Sequence, residues 1–118
     1  MADSILKSRS YAFALRIVRL NKYLEVQKRE FVLAKQVLRS GTSIGANVEE
    51  ANQAQSQKDF IHKLSVALKE ASETNYWLRL LRDSSIIEEK IASSLIADCE
   101  ELQKILTASI KTSKRLNR

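Results

Sequence analysis

Proline is absent from this chain of 118 residues, and glycine occurs only twice, at Gly41 and Gly45. The turns of all-β and α/β domains use these two residue types far more often. Strong helix formers such as Leu, Ala, Lys and Glu fill much of the sequence instead. The sequence therefore predicts an all-α fold, and its length fits one domain over residues 1–118.

Apolar residues recur at helical spacing in four segments that short polar stretches separate. We expect helices at about residues 4–24, from 28 or 30 to 54, from 56 to 83, and after 85, with a basic tail at 111–118 that frays. Ser56 with Asp59 and Ser85 with Glu88 have the spacing of capping boxes before the last two helices. Four amphipathic helices with short connections predict an antiparallel, up-down-up-down four-helix bundle.

The first helix is apolar over much of its circumference. Its apolar stripe consists of Tyr11, Ala14, Leu15, Val18 and Tyr23, with Phe13, Ile17 and Leu20 widening the stripe. The spacing of these residues is helical, which predicts a helix.

Gly41 leaves two structures open for the second helix. Glycine can cap the end of a helix, with Thr42 or Ser43 starting a new one. Alternatively, one helix runs through Gly41 and Gly45, which the in-phase positions Val37, Ile44 and Val48 favour. In that case the two glycines, four residues apart, would let a neighbouring helix approach closely, by analogy with small-residue contacts between packed helices.

Two polar motifs accompany these helices. Ser43, Asn47 and Glu50 fall on one face of the second helix, and Glu70, Glu73 and Trp77 on one face of the third. Buried polar groups need partners and can fix the alignment of helices, so we interpret the motifs as structural. Trp77 fits a packing position and a subunit interface equally well.

The sequence offers little for catalysis. His62 is the only histidine and Cys99 the only cysteine, and no metal-ligand spacing exists. Glu70 and Glu73 are a weak signal for acid–base chemistry, and the segment from Gly41 to Gly45 lacks the lysine of a phosphate-binding loop. We predict a cytoplasmic, non-enzymatic protein without cofactor, metal or membrane span.

Charge is distributed unevenly along the chain. Residues 1–48 hold nine Lys or Arg against three Asp or Glu, whereas residues 49–102 hold six against eleven. The candidate nucleic-acid-binding residues form cationic stripes on the first two helices: Arg9, Arg16, Arg19, Lys22, Lys28, Lys35 and Arg39. We expect contacts to phosphates of RNA or DNA without sequence preference, with few exposed aromatics for stacking. The alternative is a protein-interaction scaffold that docks a protein partner through the acidic middle or the basic stripes.

The segments RSGTSIGANVEEA and KDFIHKLSVALKEASETNYWLRLL resemble the signature of the four-helix-bundle family named for proteins encoded in bacterial 23S rRNA intervening sequences. The resemblance covers roughly residues 11–106 and matches both polar motifs. It implies a cytoplasmic bundle that assembles as a ring-like homopentamer. The family also includes accessory proteins of diversity-generating retroelements, which bind nucleic acid and work with a reverse transcriptase. With a formal charge of +6 per copy, such a ring would attract polyanions strongly.

Overall fold

The computed structural model describes residues 2–116, with side chains from residue 5 onward. Its elements are α1 (Ala2–Val26), α2 (Val32–Ala51), α3 (Gln57–Asp83) and α4 (Glu89–Leu116). Each helix packs against the next, and α4 returns to pack against α1. The result is an antiparallel, up-down-up-down four-helix bundle, so the predicted fold is confirmed.

The core-facing side of α1 is formed by the residues that widen the predicted apolar stripe and not by its main positions. Phe13, Ile17 and Leu20 are buried, together with Leu6 and Leu24. These positions follow one another at steps of three, four and seven, which keeps them on a single face. The main positions of the predicted stripe do not form the core: Tyr11, Leu15, Val18 and Tyr23 lie on the exposed surface, and Ala14 is half-buried. Both faces of α1 are apolar, so helical periodicity alone could not decide between them.

A single helix runs through both glycines, as the phase of the apolar positions indicated. Val37, Ile44 and Val48 are all buried on its inner face. Gly41 and Gly45 are also buried, and α1 crosses α2 at these two positions. The predicted close approach of a neighbouring helix is therefore confirmed, and the helix in contact is α1.

The helix ends differ from prediction in several places. α1 continues to Val26 and α2 begins only at Val32 and ends at Ala51, because residues 27–31 and 52–56 form the connections. The predicted cap at Ser56 is confirmed, since its Oγ accepts a hydrogen bond from the Asp59 backbone N–H at 3.0 Å. α4 extends to Leu116, so residues 111–116 of the basic tail are helical; residues 117–118 lie outside the described part of the chain.

The predicted capping box of Ser85 and Glu88 is wrong. Ser85 has a positive φ of 61° and closes α3 instead of opening α4, which starts at Glu89. The Ser85 N–H donates to the Arg82 carbonyl and the Ile86 N–H donates to the Leu81 carbonyl, both at 3.0 Å. This pair of bonds is the Schellman motif, which requires a left-handed residue just after the helix.

Candidate nucleic-acid interface

The hairpin that joins α1 to α2 carries a dense group of exposed cations. We call residues 22–35 the α1–α2 tip. Lys22, Lys28, Arg29 and Lys35 are all exposed there, and none of them forms an ion pair with another residue of the described chain. The tip also contains two acids, Glu25 on the surface and the half-buried Glu30.

Backbone hydrogen bonds hold the loop of the tip in one shape. The Gln27 N–H donates to the Tyr23 carbonyl and the Glu30 N–H donates to the Leu24 carbonyl, each at 2.9 Å. The Glu30 carboxylate then accepts the Leu33 N–H at 3.1 Å, which satisfies a free donor at the start of α2. Glu30 therefore has a structural role, and a carboxylate at a helix start is favoured by the helix dipole.

Three of the seven predicted cations are neutralised within the bundle. Arg9 pairs with Glu101, and Arg16 pairs with Asp98 of the same helix, α4, at 2.7 Å. Arg39 of α2 pairs with Glu73, and its other terminal nitrogen lies 3.4 Å from Glu70. These exposed pairs contribute little stability, but each one cancels a positive charge locally.

The other four predicted cations, Arg19, Lys22, Lys28 and Lys35, have no carboxylate within ion-pair distance among the described side chains. The structure gathers them toward one end of the bundle. The Asn21 amide of α1 donates to the Ala34 carbonyl of α2 at 3.1 Å, and this contact holds Lys22 and Lys35 on adjoining turns of the two helices. The basic residues near the end of α4, by contrast, lie at the opposite end of the bundle.

The expectation of few exposed aromatics is wrong. Tyr11, Phe31 and Tyr76 are each at least half exposed, and Tyr23 is partly so. At the tip, the Lys28 Nζ lies 6.0 Å from the Tyr23 ring centroid, and the Arg29 Cζ lies 5.7 Å from that of Phe31. Both distances fall in the range of cation–π contacts. The tip therefore combines positive charge with accessible ring surface.

Three of the six residues of the two polar motifs form contacts between α2 and α3. Glu50 accepts a hydrogen bond from Lys63 at 2.9 Å, and Glu70 and Glu73 face Arg39. Trp77 is half-buried, packs against the core and donates its Nε1–H to Glu73 at 3.0 Å. Ser43 and Asn47 instead donate to carbonyl groups of α2 itself, those of Arg39 and Ser43. Among the described residues, no hydrogen bond between helices therefore carries the alignment expected of Ser43 and Asn47.

The fully buried polar contact between α2 and α3 was missed by sequence reasoning. Ser40 Oγ lies 2.9 Å from Thr74 Oγ1, and neither residue is exposed to solvent. A signal existed, because Ser40 falls between Val37 and Ile44 at steps of three and four, which places it on the buried face of α2.

Cys99 is buried in the bundle, and its Sγ donates to the Ala71 carbonyl at 3.2 Å. Burial raises the pKa of this thiol to about 12, and the negative charge of Glu100 acts in the same direction. Such a thiol stays protonated at neutral pH, when it is a poor nucleophile.

Within the described residues, no three His, Cys, Asp or Glu side chains converge as metal ligands would. None of the helices in that part of the chain has both the length and the apolar character needed to cross a bilayer.

An exposed apolar stripe follows the outer face of α1. Its members Tyr11, Leu15 and Val18 are 64%, 44% and 36% exposed, and their steps of four and three keep them on one face. Single exposed apolar residues are ordinary on a protein surface, whereas an aligned group marks a surface suited to contact with another protein.

Comparison with known proteins places this geometry among similar folds. The model of a family described as 23S rRNA-intervening sequence protein matches residues 2–108. The chain is also similar to a protein of unknown function from the S23 ribosomal protein family of Bacteroides thetaiotaomicron, whose crystal structure was determined at 1.70 Å resolution. The two are 52% identical with a TM-score of 0.93, over 94% of this chain and 99% of that one. None of the curated proteins compared with the chain matches it.

Proposed function

The chain belongs to the 23S rRNA-intervening sequence protein family, and we propose that it is a cytoplasmic, non-catalytic homo-oligomer that binds nucleic acid non-specifically through its α1–α2 tip. The observation that carries this proposal is the contrast between the two groups of predicted cations. Arg9, Arg16 and Arg39 are paired with carboxylates, whereas the cations nearer the tip are exposed and have no carboxylate within ion-pair distance in the described chain.

Binding of this kind draws its free energy from the release of counterions that surround the phosphates. Each lysine or arginine that contacts a phosphate adds about 0.7–0.9 to the slope of log affinity against log salt concentration. The four exposed cations of the tip would therefore give a steep salt dependence. The described part of the chain shows no arrangement of hydrogen-bonding side chains that would recognise the edges of bases, which fits binding without sequence preference.

The proposal is tested by fluorescence anisotropy with a labelled RNA, measured at about 50 and about 200 mM salt. We expect Lys28→Gln combined with Lys35→Gln to weaken binding and to lower the salt slope by about 1.4–1.8. The matched control is Lys69→Gln combined with Lys104→Gln, which removes the same charge from exposed lysines on α3 and α4. Equal effects of the two pairs would place the binding site elsewhere. Absence of binding at low salt would exclude nucleic-acid binding as the function and favour the protein-interaction scaffold.

We propose that the oligomer is a pentamer, as the resemblance to the family implies, and that the stripe of Tyr11, Leu15 and Val18 lies in its interface. Burying these side chains between copies would remove apolar surface from water, which favours association. Leu15→Glu would place a charge in the interface and should reduce the mass measured by light scattering. The control is Leu80→Glu, which changes a similarly exposed leucine on α3. An unchanged mass for Leu15→Glu would show that another surface mediates assembly.

A further inference from the structure

We propose that the α1–α2 tip binds unpaired nucleotides, with bases stacked on Phe31 and Tyr23 while Lys28 and Arg29 contact the neighbouring phosphates. This inference rests on the nucleic-acid binding proposed above and specifies its substrate class as single-stranded. The observation behind it is that two accessible aromatic rings, one on each side of the loop, each have a cation of the loop beside them.

Phe31 presents the more accessible ring. It is the residue before the first turn of α2, and its side chain is 52% exposed. Its carbonyl accepts the Lys35 N–H at 3.1 Å, so the backbone beneath the ring belongs to the ordered helix start. The guanidinium of Arg29 lies 5.7 Å from the ring centroid and covers part of the ring. Half of the side chain remains free to receive a base.

Tyr23 supplies the second ring from the other side of the loop. It lies in the last turn of α1, and its carbonyl accepts the N–H groups of Gln27 and Lys28. The Lys28 ammonium is 6.0 Å from the ring centroid. Each ring thus has one cation beside it. The ring suits the flat base of a nucleotide, and the cation suits its charged phosphate.

The combination favours single strands over duplexes for a physical reason. In a duplex the bases are stacked on one another, so a protein ring on the surface reaches only phosphates and groove edges. Unpaired bases expose their faces, and stacking on an aromatic side chain contributes about 1–3 kcal/mol per base. The cations act on both substrates, whereas the rings act only on the single strand.

The ordered loop strengthens this inference, because an ordered surface loses less conformational entropy on binding. Arg29 has a φ of 53°, a conformation that is unfavourable for residues other than glycine. The adjacent hydrogen bond from the Glu30 N–H to Leu24 holds the chain in this turn. The loop therefore keeps an arginine at a position where glycine would fold with less strain.

Two acids and two apolar side chains also belong to the tip. Glu30 is engaged with the start of α2, and Glu25 remains exposed, so positive charge prevails. Val26 and Val32 are strongly exposed beside the rings. A purely apolar contact with a protein would use the valines as much as the aromatic residues, whereas stacking of bases would use only the aromatic rings. Substitutions of a valine and of an aromatic residue therefore distinguish protein contact from base stacking.

The experiment compares a labelled oligouridine of about 20 nucleotides with an RNA duplex of about 20 base pairs by anisotropy, at fixed low salt. We expect the wild-type protein to bind the single strand more tightly. Phe31→Leu should weaken single-strand binding on the order of tenfold while duplex affinity changes less than about twofold. Phe31 is half exposed, so the variant should fold, and circular dichroism with thermal melting checks this.

Two variants serve as controls. Tyr76→Leu removes an exposed ring on α3 that has its own cation, Arg79 at 5.9 Å, and should leave both affinities unchanged. Val32→Ala removes exposed apolar surface next to Phe31 and should also have little effect on the single strand. If Val32→Ala matched Phe31→Leu, apolar contact rather than stacking would operate, and the inference would be overturned.

Failure of this inference can be told apart from failure of the proposed function. Equal affinity for the two RNAs, with no selective effect of Phe31→Leu, overturns the single-strand preference but leaves non-specific phosphate binding in place. Absence of binding to both RNAs at low salt overturns both proposals.

Discussion

Ile17 of α1 lies directly against Gly41 of α2: a Cβ atom placed on Gly41 would be 2.8 Å from both the Cγ1 and the Cγ2 atoms of Ile17. Ile17 is completely buried, and the crowded Cγ1 and Cγ2 atoms are attached directly to its Cβ, so they cannot move away from Gly41 without displacing the rest of the side chain. The second glycine is less crowded, because a Cβ on Gly45 would lie 3.4 Å from the Ser10 carbonyl oxygen. Gly41 is therefore the more tightly packed of the two sites and faces a side chain of α1, whereas Gly45 faces the α1 backbone.

The two glycines should respond differently to the same substitution. Both replacements with alanine gain about 1 kcal/mol of helix propensity. Overpacking a buried site typically costs about 1–3 kcal/mol, so Gly41→Ala should lower the free energy of unfolding, whereas Gly45→Ala should be neutral or stabilising. Urea denaturation of both variants measures this difference. A Gly41→Ala protein at least as stable as Gly45→Ala would contradict the packing described for Ile17.

The hydroxyl pair of Ser40 and Thr74 should stabilise the contact between α2 and α3. Thr74 Oγ1 lies 2.9 Å from Ser40 Oγ and 2.8 Å from the Glu70 carbonyl oxygen. Thr74→Val keeps the shape of the side chain but leaves the Ser40 hydroxyl buried without this partner, at a cost of about 1–3 kcal/mol. Ser40→Ala should cost less, because Thr74 keeps its contact with Glu70.

A double-mutant cycle tests whether the two hydroxyls act together. Residues in direct contact show coupling energies of about 0.5–3 kcal/mol. The double variant should therefore be destabilised by less than the two single effects added together, as measured by denaturant unfolding. Full additivity would mean that each hydroxyl is satisfied elsewhere in the protein.

Much of the fold could be predicted because local chemistry determined it. The lack of proline indicated helices, and the Ser56 hydroxyl caps α3 where its spacing to Asp59 suggested. Ser85 shows the limit of such patterns. Its spacing to Glu88 fits a capping box equally well, but the end of the preceding helix uses Ser85 for a left-handed turn.

The candidate site was harder to predict because it depends on contacts between distant parts of the chain. Arg16 and Lys22 belong to the same predicted cationic stripe on the first helix, and both side chains are positively charged. Only the packing of α4 against α1 brings Asp98 to Arg16, and no acid of the described chain reaches Lys22 in this way. The orientation of α1, which exposes Leu15 and buries Ile17, is likewise a consequence of tertiary packing.

Replacing Ser85 with glycine should stabilise the protein. Ser85 has a φ of 61°, where a side chain crowds the backbone and glycine avoids a cost of about 1 kcal/mol. Ser84 is the control, since its φ of −87° suits any residue. Ser84→Gly should add flexibility to the unfolded chain and remove the hydrogen bond from the Ser84 Oγ to the Leu80 carbonyl, 2.7 Å long. Thermal melting should show a higher midpoint for Ser85→Gly and a lower or equal one for Ser84→Gly. The reverse order would argue against the left-handed turn.

Cys99 should make the stability of the protein depend on alkaline pH. Its pKa is raised from an ordinary value of 9.0 to about 12 in the folded chain, chiefly by burial. The unfolded chain therefore releases this proton at a lower pH than the folded chain does. The stabilising contribution of the protonated thiol is present below about pH 9 and is lost as the pH rises toward 12.

The comparison of wild type with Cys99→Ala isolates this effect from the titration of lysines and tyrosines, which both proteins share. Urea unfolding at about pH 8 and about pH 10.5 should show the wild type losing about 2 kcal/mol relative to the variant over this interval. A difference between the two proteins that stays constant with pH would mean that the folded thiol ionises as readily as the unfolded one. In that case water would have to reach the contact between Cys99 and the Ala71 carbonyl, against the burial described for this part of α4.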